Sequence, residues 1–289
     1  MKSFEKKYLE AFTIPHHLIT IIRQIGEYKG KQELYKKQAP EMLENLRHVA
    51  IIQSTESSNR LEGITADINR IKDLVEQKTK PANRSEAEIA GYRDVLSTVH
   101  ANYEHIPFNK SVLLQFHRDL MKYAGKEGGR WKSTSNEITE ILPDGTKKIR
   151  FVPVASHLTP DYMQTLHEKY NSLLKEGDID PLILIALYVL DFLCIHPFLD
   201  GNGRMARLIT VLLLYHYGYE VSRYISLERI IEQTKESYYE TLHKSSQGWH
   251  KGKHDAQNTS SLPFLQPIRN SSPGLKGYLP GGEARQILS

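Results

Sequence analysis

The chain has 289 residues, 39% of them apolar and 25% charged, which is ordinary for a globular protein and enough for one large domain or two modest ones. Its net charge of +4 suits a polyanionic ligand such as a nucleotide, and no long Lys/Arg block marks a nucleic-acid footprint. The single cysteine, Cys194, excludes an internal disulfide, fits a reducing compartment and, within an apolar run, reads as core.

Residues 1–12 alternate charged and apolar side chains and lack the apolar stretch of a secretory leader. His16 and His17, beside Pro15, read as a surface loop. Leu43, Leu46, Val49, Ala50 and Leu61 recur at helical intervals behind Pro40-Glu41, which predicts a helix over 42–61 stopped by Gly63. Further helices are predicted over 64–77, ahead of the Lys80-Pro81 break, over 85–103, with Ile89, Tyr92, Leu96 and Val99 on one face, and over 111–123. Segment 130–152 loses that rhythm. Ile138 and Ile141 lead into Pro143-Asp144-Gly145, and Ile149, Phe151 and Val152 follow, the pattern of a hairpin with a Pro-Asp-Gly turn. Helices return over 161–175, 182–195, 204–217 and 227–245. The apolar run from Leu182 is broken by Asp191 and is too short to span a bilayer. Beyond Asp255 the chain is rich in Ser, Asn, Pro and Gly without a period, so 256–289 is expected to be a mobile tail. The expected fold is all-α with one short β-hairpin, in a cytoplasmic protein.

The segment from His196 to Arg207 carries the chemistry. Proline disfavours the α conformation in the residue before it, so the preceding helix should end near His196 and leave the imidazole on a loop. Gly201 and Gly203 flank Asn202 and let the main chain approach a ligand. Arg204 opens an apolar helix whose first N–H groups lack intrahelical partners and whose dipole favours an anion. Arg204 and Arg207, three apart, share a face of that first turn, where each opposes the dipole at a cost of about 0.3–1 kcal/mol. A bound polyphosphate would offset it. Asp200 offers the hard oxygen that Mg²⁺ takes beside phosphates. Gly201 to Ala206 also fits G-x-G-x-x-A, with Glu220 downstream, but a dinucleotide fold needs a strand before the first glycine, and none is predicted. No Walker A ending is present. A plain helix–loop–helix turn with a solvated arginine pair remains the alternative without a ligand.

Residues 196–207 resemble the signature of the Fic family, H-P-F-x-[D/E]-G-N-G-R-x-x-R, and match it at every specified position, with similarity extending over about 42–255. The resemblance implies a helical core with a short hairpin flap and transfer of AMP from ATP, with Mg²⁺, to a Ser, Thr or Tyr hydroxyl of a protein. It gives His196 the role of base, Asp200 that of metal ligand, and Gly201, Asn202 and Gly203 the nest around the α- and β-phosphates. Arg204 and Arg207 would hold the β- and γ-phosphates. The Doc-like kinase branch departs from Gly-Asn-Gly-Arg and this chain does not, which favours adenylylation. The division implied is a helical region over 1–105, a catalytic core over 106–255 and the tail over 256–289.

Ser58-Asn59-Arg60-Leu61-Glu62-Gly63 puts a carboxylate in the last turn of a predicted helix, where it opposes the dipole. The segment resembles the family's inhibitory motif, [S/T]-x-x-x-E-[G/N], on a helix at about 41–63, and by that resemblance Glu62 should pair with Arg207 and restrain transfer. Asn136, Glu137, Ile138 and Thr139 are similar in position to the flap that docks a target by strand addition. Tyr238 and Tyr239 stand where the family places adenine contacts, although aromatics at helical spacing are more often core. His250 and His254, four apart, lack a third ligand at metal-site spacing. The tail does not resemble the helical or winged-helix region that follows in longer members, which puts a DNA-binding role in doubt. Self-modification is expected to be detectable. The acceptor protein and homodimerisation are left open. Removal of AMP at the same site and a non-catalytic nucleotide-binding or toxin–antitoxin-type module are the competing functions.

Overall fold

The computed structural model describes residues 3–254 apart from 12, 39 and 143, so the tail expected over 256–289 lies outside the described residues. The fold has the expected character, an all-α core with a short β-hairpin. In chain order it comprises α1 (Lys6–Glu10), α2 (His16–Gln38), α3 (Pro40–Leu61), α4 (Ile68–Val75), α5 (Arg84–Asn102) and α6 (Lys110–Met121). The antiparallel strands β1 (Ile138–Ile141) and β2 (Lys147–Phe151) follow, then α7 (Thr159–Glu176), α8 (Pro181–Ile195), α9 (Asn202–His216), α10 (Leu227–Gln233) and α11 (Lys235–Ser246).

Helix α8 is central because it is apolar on every side. All its residues from Leu182 to Ile195 are buried, as such a helix requires. Asp180 starts it by accepting the Leu182 N–H at 2.8 Å, and Pro181 occupies the first position, where a missing N–H is harmless. Asp191, its charged break, accepts hydrogen bonds from Ser3 Oγ at 2.5 Å and Trp249 Nε1 at 2.6 Å. His254 reaches the same serine at 2.9 Å, so both ends of the described chain are tied to α8. Helices α5 and α6 cross at Gly91, where a Cβ would lie 2.1 Å from the Leu120 carbonyl oxygen. One cluster of buried apolar side chains runs from Phe4 to Trp249.

Helix α3 is built differently. Its C-terminal half buries Ser54, Thr55, Ser57, Ser58 and Asn59, a small polar face where a core helix would present aliphatics. Ser54 Oγ donates to Ser226 Oγ at 2.9 Å, and the Asn59 amide donates to the Thr55 carbonyl at 2.7 Å. Buried polar groups require such partners.

Four expectations are corrected. His16 and His17 open α2 rather than lying on a loop, although both remain exposed. The helix expected over 64–77 begins at Ile68, where Asp67 accepts the Asn69 N–H at 2.8 Å. The helix expected from Arg204 begins at Asn202, with Gly201 as its N-cap. The helix expected over 227–245 is two helices, parted at Thr234, whose φ of −113° leaves the helical range while its hydroxyl donates to the Ile230 carbonyl at 2.9 Å. The hairpin pairs Thr139 with Ile149 and Ile141 with Lys147, and Gly145 takes the left-handed turn position. Among the described residues no helix is long and apolar enough to cross a membrane.

Candidate active site

Helix α8 stops at His196, which adopts φ 52° and ψ 62° while its N–H still donates to Phe192 O at 2.9 Å. This left-handed conformation costs a non-glycine residue about 1–2 kcal/mol, strain of the sort that functional positions carry. The following proline bars continuation of the helix. His196 Nδ1–H donates to the Leu193 carbonyl at 3.3 Å, which leaves Nε2 as the proton acceptor. Burial pulls the imidazole pKa down to about 4, against the Leu193 hydrogen bond, and the Lys132 ammonium adds to the lowering while Glu62 and Asp200 oppose it.

The loop beyond is held rigid. Phe198 is buried and stacks on His117, with ring centroids 3.8 Å apart. The Asn202 side chain brackets Phe198, accepting its N–H at 2.9 Å and donating to its carbonyl at 2.8 Å. What Asn202 leaves for an anion is therefore its backbone N–H and its second amide N–H. His117 Nε2–H donates to the Asp200 carbonyl at 3.1 Å and its Nδ1 accepts from the Gly129 N–H at 3.1 Å. Gly201 needs to be glycine twice over. Its φ is +79°, and a Cβ would lie 2.6 Å from Met121 Cε.

Charged groups converge on the start of α9. Arg204 is 1% exposed, its Nη2 lying 2.9 Å from Glu88 and 3.6 Å from Asp200. Its Nε and Nη1 are buried with no hydrogen-bond partner among the described residues. Arg207, also buried, donates from Nε to Ser58 Oγ at 2.7 Å and from Nη2 to Ser58 O and Glu62 Oε1, each at 2.8 Å. Glu62 lies so close over the first turn that a Cβ on Gly203 would be 2.1 Å from its Oε1. Asp200 is half-exposed, accepts the Gly201 N–H at 2.6 Å and is paired with Lys126. Although burial pushes its pKa up, the Lys126 and Arg204 cations and the Gly201 amide hold it below the usual carboxylate range.

Of the residues expected from the sequence, Ser58, Glu62, His196, Asp200, Gly201, Gly203, Arg204 and Arg207 thus come together. Tyr238 is buried within electrostatic reach of Arg207 and Glu62, and the Tyr239 hydroxyl donates to the Leu61 carbonyl at 3.5 Å. Asn136 reaches the loop through Nδ2, 3.2 Å from Phe198 O, and Glu137 leads into β1, which Ile138 and Thr139 begin. Thr139, Ile141, Lys147 and Ile149 share the exposed face of the hairpin, while Glu140 and Arg150 pair on the other. A cleft of about 280 Å³ opens beside Asp200, between Lys126, Trp131, Lys132 and Leu199. His250 donates to Val152 O whereas His254 meets Ser3 Oγ, and no group of three metal-ligating side chains occurs among the described residues.

Sequence reading missed Glu88, His117, Lys126 and Lys132. Glu88 is buried between Arg204, Arg84 and Lys126, at 2.9, 3.1 and 3.2 Å. It precedes Tyr92 by one turn, a carboxylate on an otherwise apolar stripe, and that was its signal. His117 likewise falls on the buried face of α6 with Leu113, Leu120 and Met121.

Comparison with known proteins agrees with this geometry. Residues 107–214 match the model of the Fic/DOC family. A Fido domain-containing protein of Dictyostelium discoideum is 32% identical over 127 residues, covering 42% of this chain and 80% of that protein. The chain belongs to the Fic/DOC family. A protein adenylyltransferase Fic of Nematostella vectensis is 26% identical over 212 residues, 69% of this chain and 44% of the relative, so the chain spans less than half of that protein. The crystal structure of a Fic family protein from Desulfovibrio desulfuricans superposes with a TM-score of 0.71 at 21% identity, covering 91% of this chain and 75% of that one, a likeness of fold.

Proposed function

We propose that this Fic protein transfers AMP from ATP to a hydroxyl of a protein, with His196 as the base and Glu62 as a built-in restraint. The observation that carries the reading is Arg204, a buried guanidinium with two donors lacking acceptors, at the start of α9 and on the loop of a neutral imidazole. A buried unsatisfied donor costs about 1–3 kcal/mol. Phosphate oxygens would relieve that cost and would also meet the free N–H groups of the first turn. Asp200, half-exposed at the mouth, suits Mg²⁺, which needs few carboxylates beside phosphates and keeps much of its water. That ion would supply charge neutralisation at the phosphates.

In the proposed reaction the acceptor hydroxyl gives its proton to His196 Nε2 as its oxygen bonds to the α-phosphorus. The bond from that phosphorus to the bridging oxygen breaks, and pyrophosphate leaves toward Arg204 and Arg207. With a pKa near 4 the imidazole is free to accept at neutral pH, and nearby phosphate charge raises its proton affinity. The acceptor would lie along the hairpin, and Tyr238 and Tyr239 would border the adenine. Glu62, against both Arg207 and Gly203, competes for the ground that the distal phosphates need.

Incubating Glu62→Gly with ATP and Mg²⁺, followed by intact-mass analysis, should show an added AMP that is absent in Glu62→Gly/His196→Ala. ATP binding without any adduct in either protein would replace this reading with that of a nucleotide-binding module. Loss of AMP from a pre-modified protein, dependent on Glu62, would point to removal instead.

A further inference from the structure

Lys132 lies in the segment between α6 and the hairpin and is 3% exposed. Its backbone N–H donates to Pro197 O at 2.8 Å. Its ammonium donates to Ile195 O at 3.1 Å and to Asn136 Oδ1 at 2.9 Å. Asn136, two residues before β1, returns to the loop by donating to Phe198 O at 3.2 Å. Ile195 and Pro197 are the two neighbours of His196 in the chain. One residue thus grips both sides of the base and the root of the hairpin.

Burying an ammonium is costly unless its donors are satisfied and an opposing dipole is near. The Ile195 carbonyl, at the C-terminal end of α8, supplies that negative pole. An apolar side chain would fill the same space without the desolvation cost, so packing alone gives no reason for a lysine there.

We infer that Lys132 is a positioning residue for the proposed adenylyl transfer, locking the root of the hairpin to the residues that flank His196. An acceptor on the hairpin would then meet the imidazole in one geometry. The inference rests on the functional reading above for what is positioned, but the clamp itself is testable apart from it.

The test compares Lys132→Met, Lys132→Arg and Asn136→Ala in the full chain carrying Glu62→Gly. Hydrogen exchange over residues 133–151 reads the clamp, calorimetry reads ATP affinity, and intact mass against time reads self-modification. Lys132→Met should accelerate exchange in that segment only and lower the maximal transfer rate about tenfold or more. Half-saturating ATP should change less than about twofold, because the phosphate ligands are untouched. Lys132→Arg should recover much of the rate, and Asn136→Ala should loosen the same amides. Unchanged exchange in Lys132→Met, or equal loss of ATP affinity and rate, overturns the proposal. If Lys132→Met does not fold, Asn136→Ala decides by the same readings. If no variant and no parent chain transfers AMP, the functional reading fails while exchange still decides the clamp.

Discussion

In the proposed reading the Glu62 carboxylate restrains the site through charge and through bulk, and two substitutions separate them. Its Oε1 stands 2.8 Å from a nitrogen of the fully buried Arg207, while Glu62 itself is 32% exposed. At an effective dielectric near 20 such a pair is worth about 6 kcal/mol, and water at the exposed carboxylate reduces that to about 2 kcal/mol. Glu62→Gln keeps the shape and a hydrogen bond to Arg207 but removes the charge, so it should raise ATP affinity about 30-fold, the equivalent of that energy. Glu62→Gly also clears the oxygen that overlies Gly203, and should gain further in transfer rate as the distal phosphates settle. Isothermal calorimetry with ATP and intact-mass kinetics would measure the two effects. Gln resembling Gly identifies charge as the block, and Gln resembling wild type identifies bulk. Equality of all three chains in both assays would refute the reasoning.

Two further outcomes follow from the geometry. Gly201→Ala forces a side chain into φ +79° and against Met121. It should cost about 1–2 kcal/mol and lower Tm by about 3–6 °C, whereas Gly30→Ala, in helix with nothing near its Cβ, should not lower it. Burial, the largest influence on each, depresses the pKa values of His100 to about 3 and of His117 and His167 to about 4, so their contribution is intact above the unfolded value of 6.5 and is lost as pH falls. At pH 5.5 the three together should forfeit about 4 kcal/mol, so thermal melts should drop steeply between pH 7 and 5.5. A flat Tm over that range would contradict their burial as neutral rings.

The loop from His196 to Arg207 was legible because its groups are contiguous, and the physics of a helix start after a glycine-flanked turn is local. Glu62 was legible only through its motif, since a carboxylate at a helix end looks locally like an exposed side chain. Lys126 and Lys132 had no such signal. Each acts across the fold, Lys126 on Glu88 and Asp200, Lys132 on Ile195 and Pro197, and nothing near either lysine in the chain announces the partner. Helix α2 did carry helical spacing in Leu18, Ile21, Ile22 and Ile25, but Gly26, Gly30 and the polar residues beyond dilute it. Thr234 parts α10 from α11 without a glycine or proline to mark the break.

The proposed restraint and the proposed phosphate site would be two consequences of the same electrostatics. Two guanidiniums buried at the positive end of a helix repel that end and each other, so the fold needs anions beside them. Glu88 serves Arg204, Glu62 serves Arg207 and Asp200 lies near Arg204. A triphosphate that engages both arginines would compete with these carboxylates, and which one yields follows from burial. Glu88 is 5% exposed and held by Arg84 and Lys126 besides, so turning it out would leave the buried Arg204 only the more distant Asp200. Asp200 keeps its backbone bond to Gly201 and has a use beside a metal. Glu62 is a third exposed, and its loss leaves Arg207 still bonded to the Ser58 hydroxyl and carbonyl. It is the carboxylate that moves at least cost, and in the proposed reading whatever shifts the last turn of α3 would set how readily a nucleotide settles.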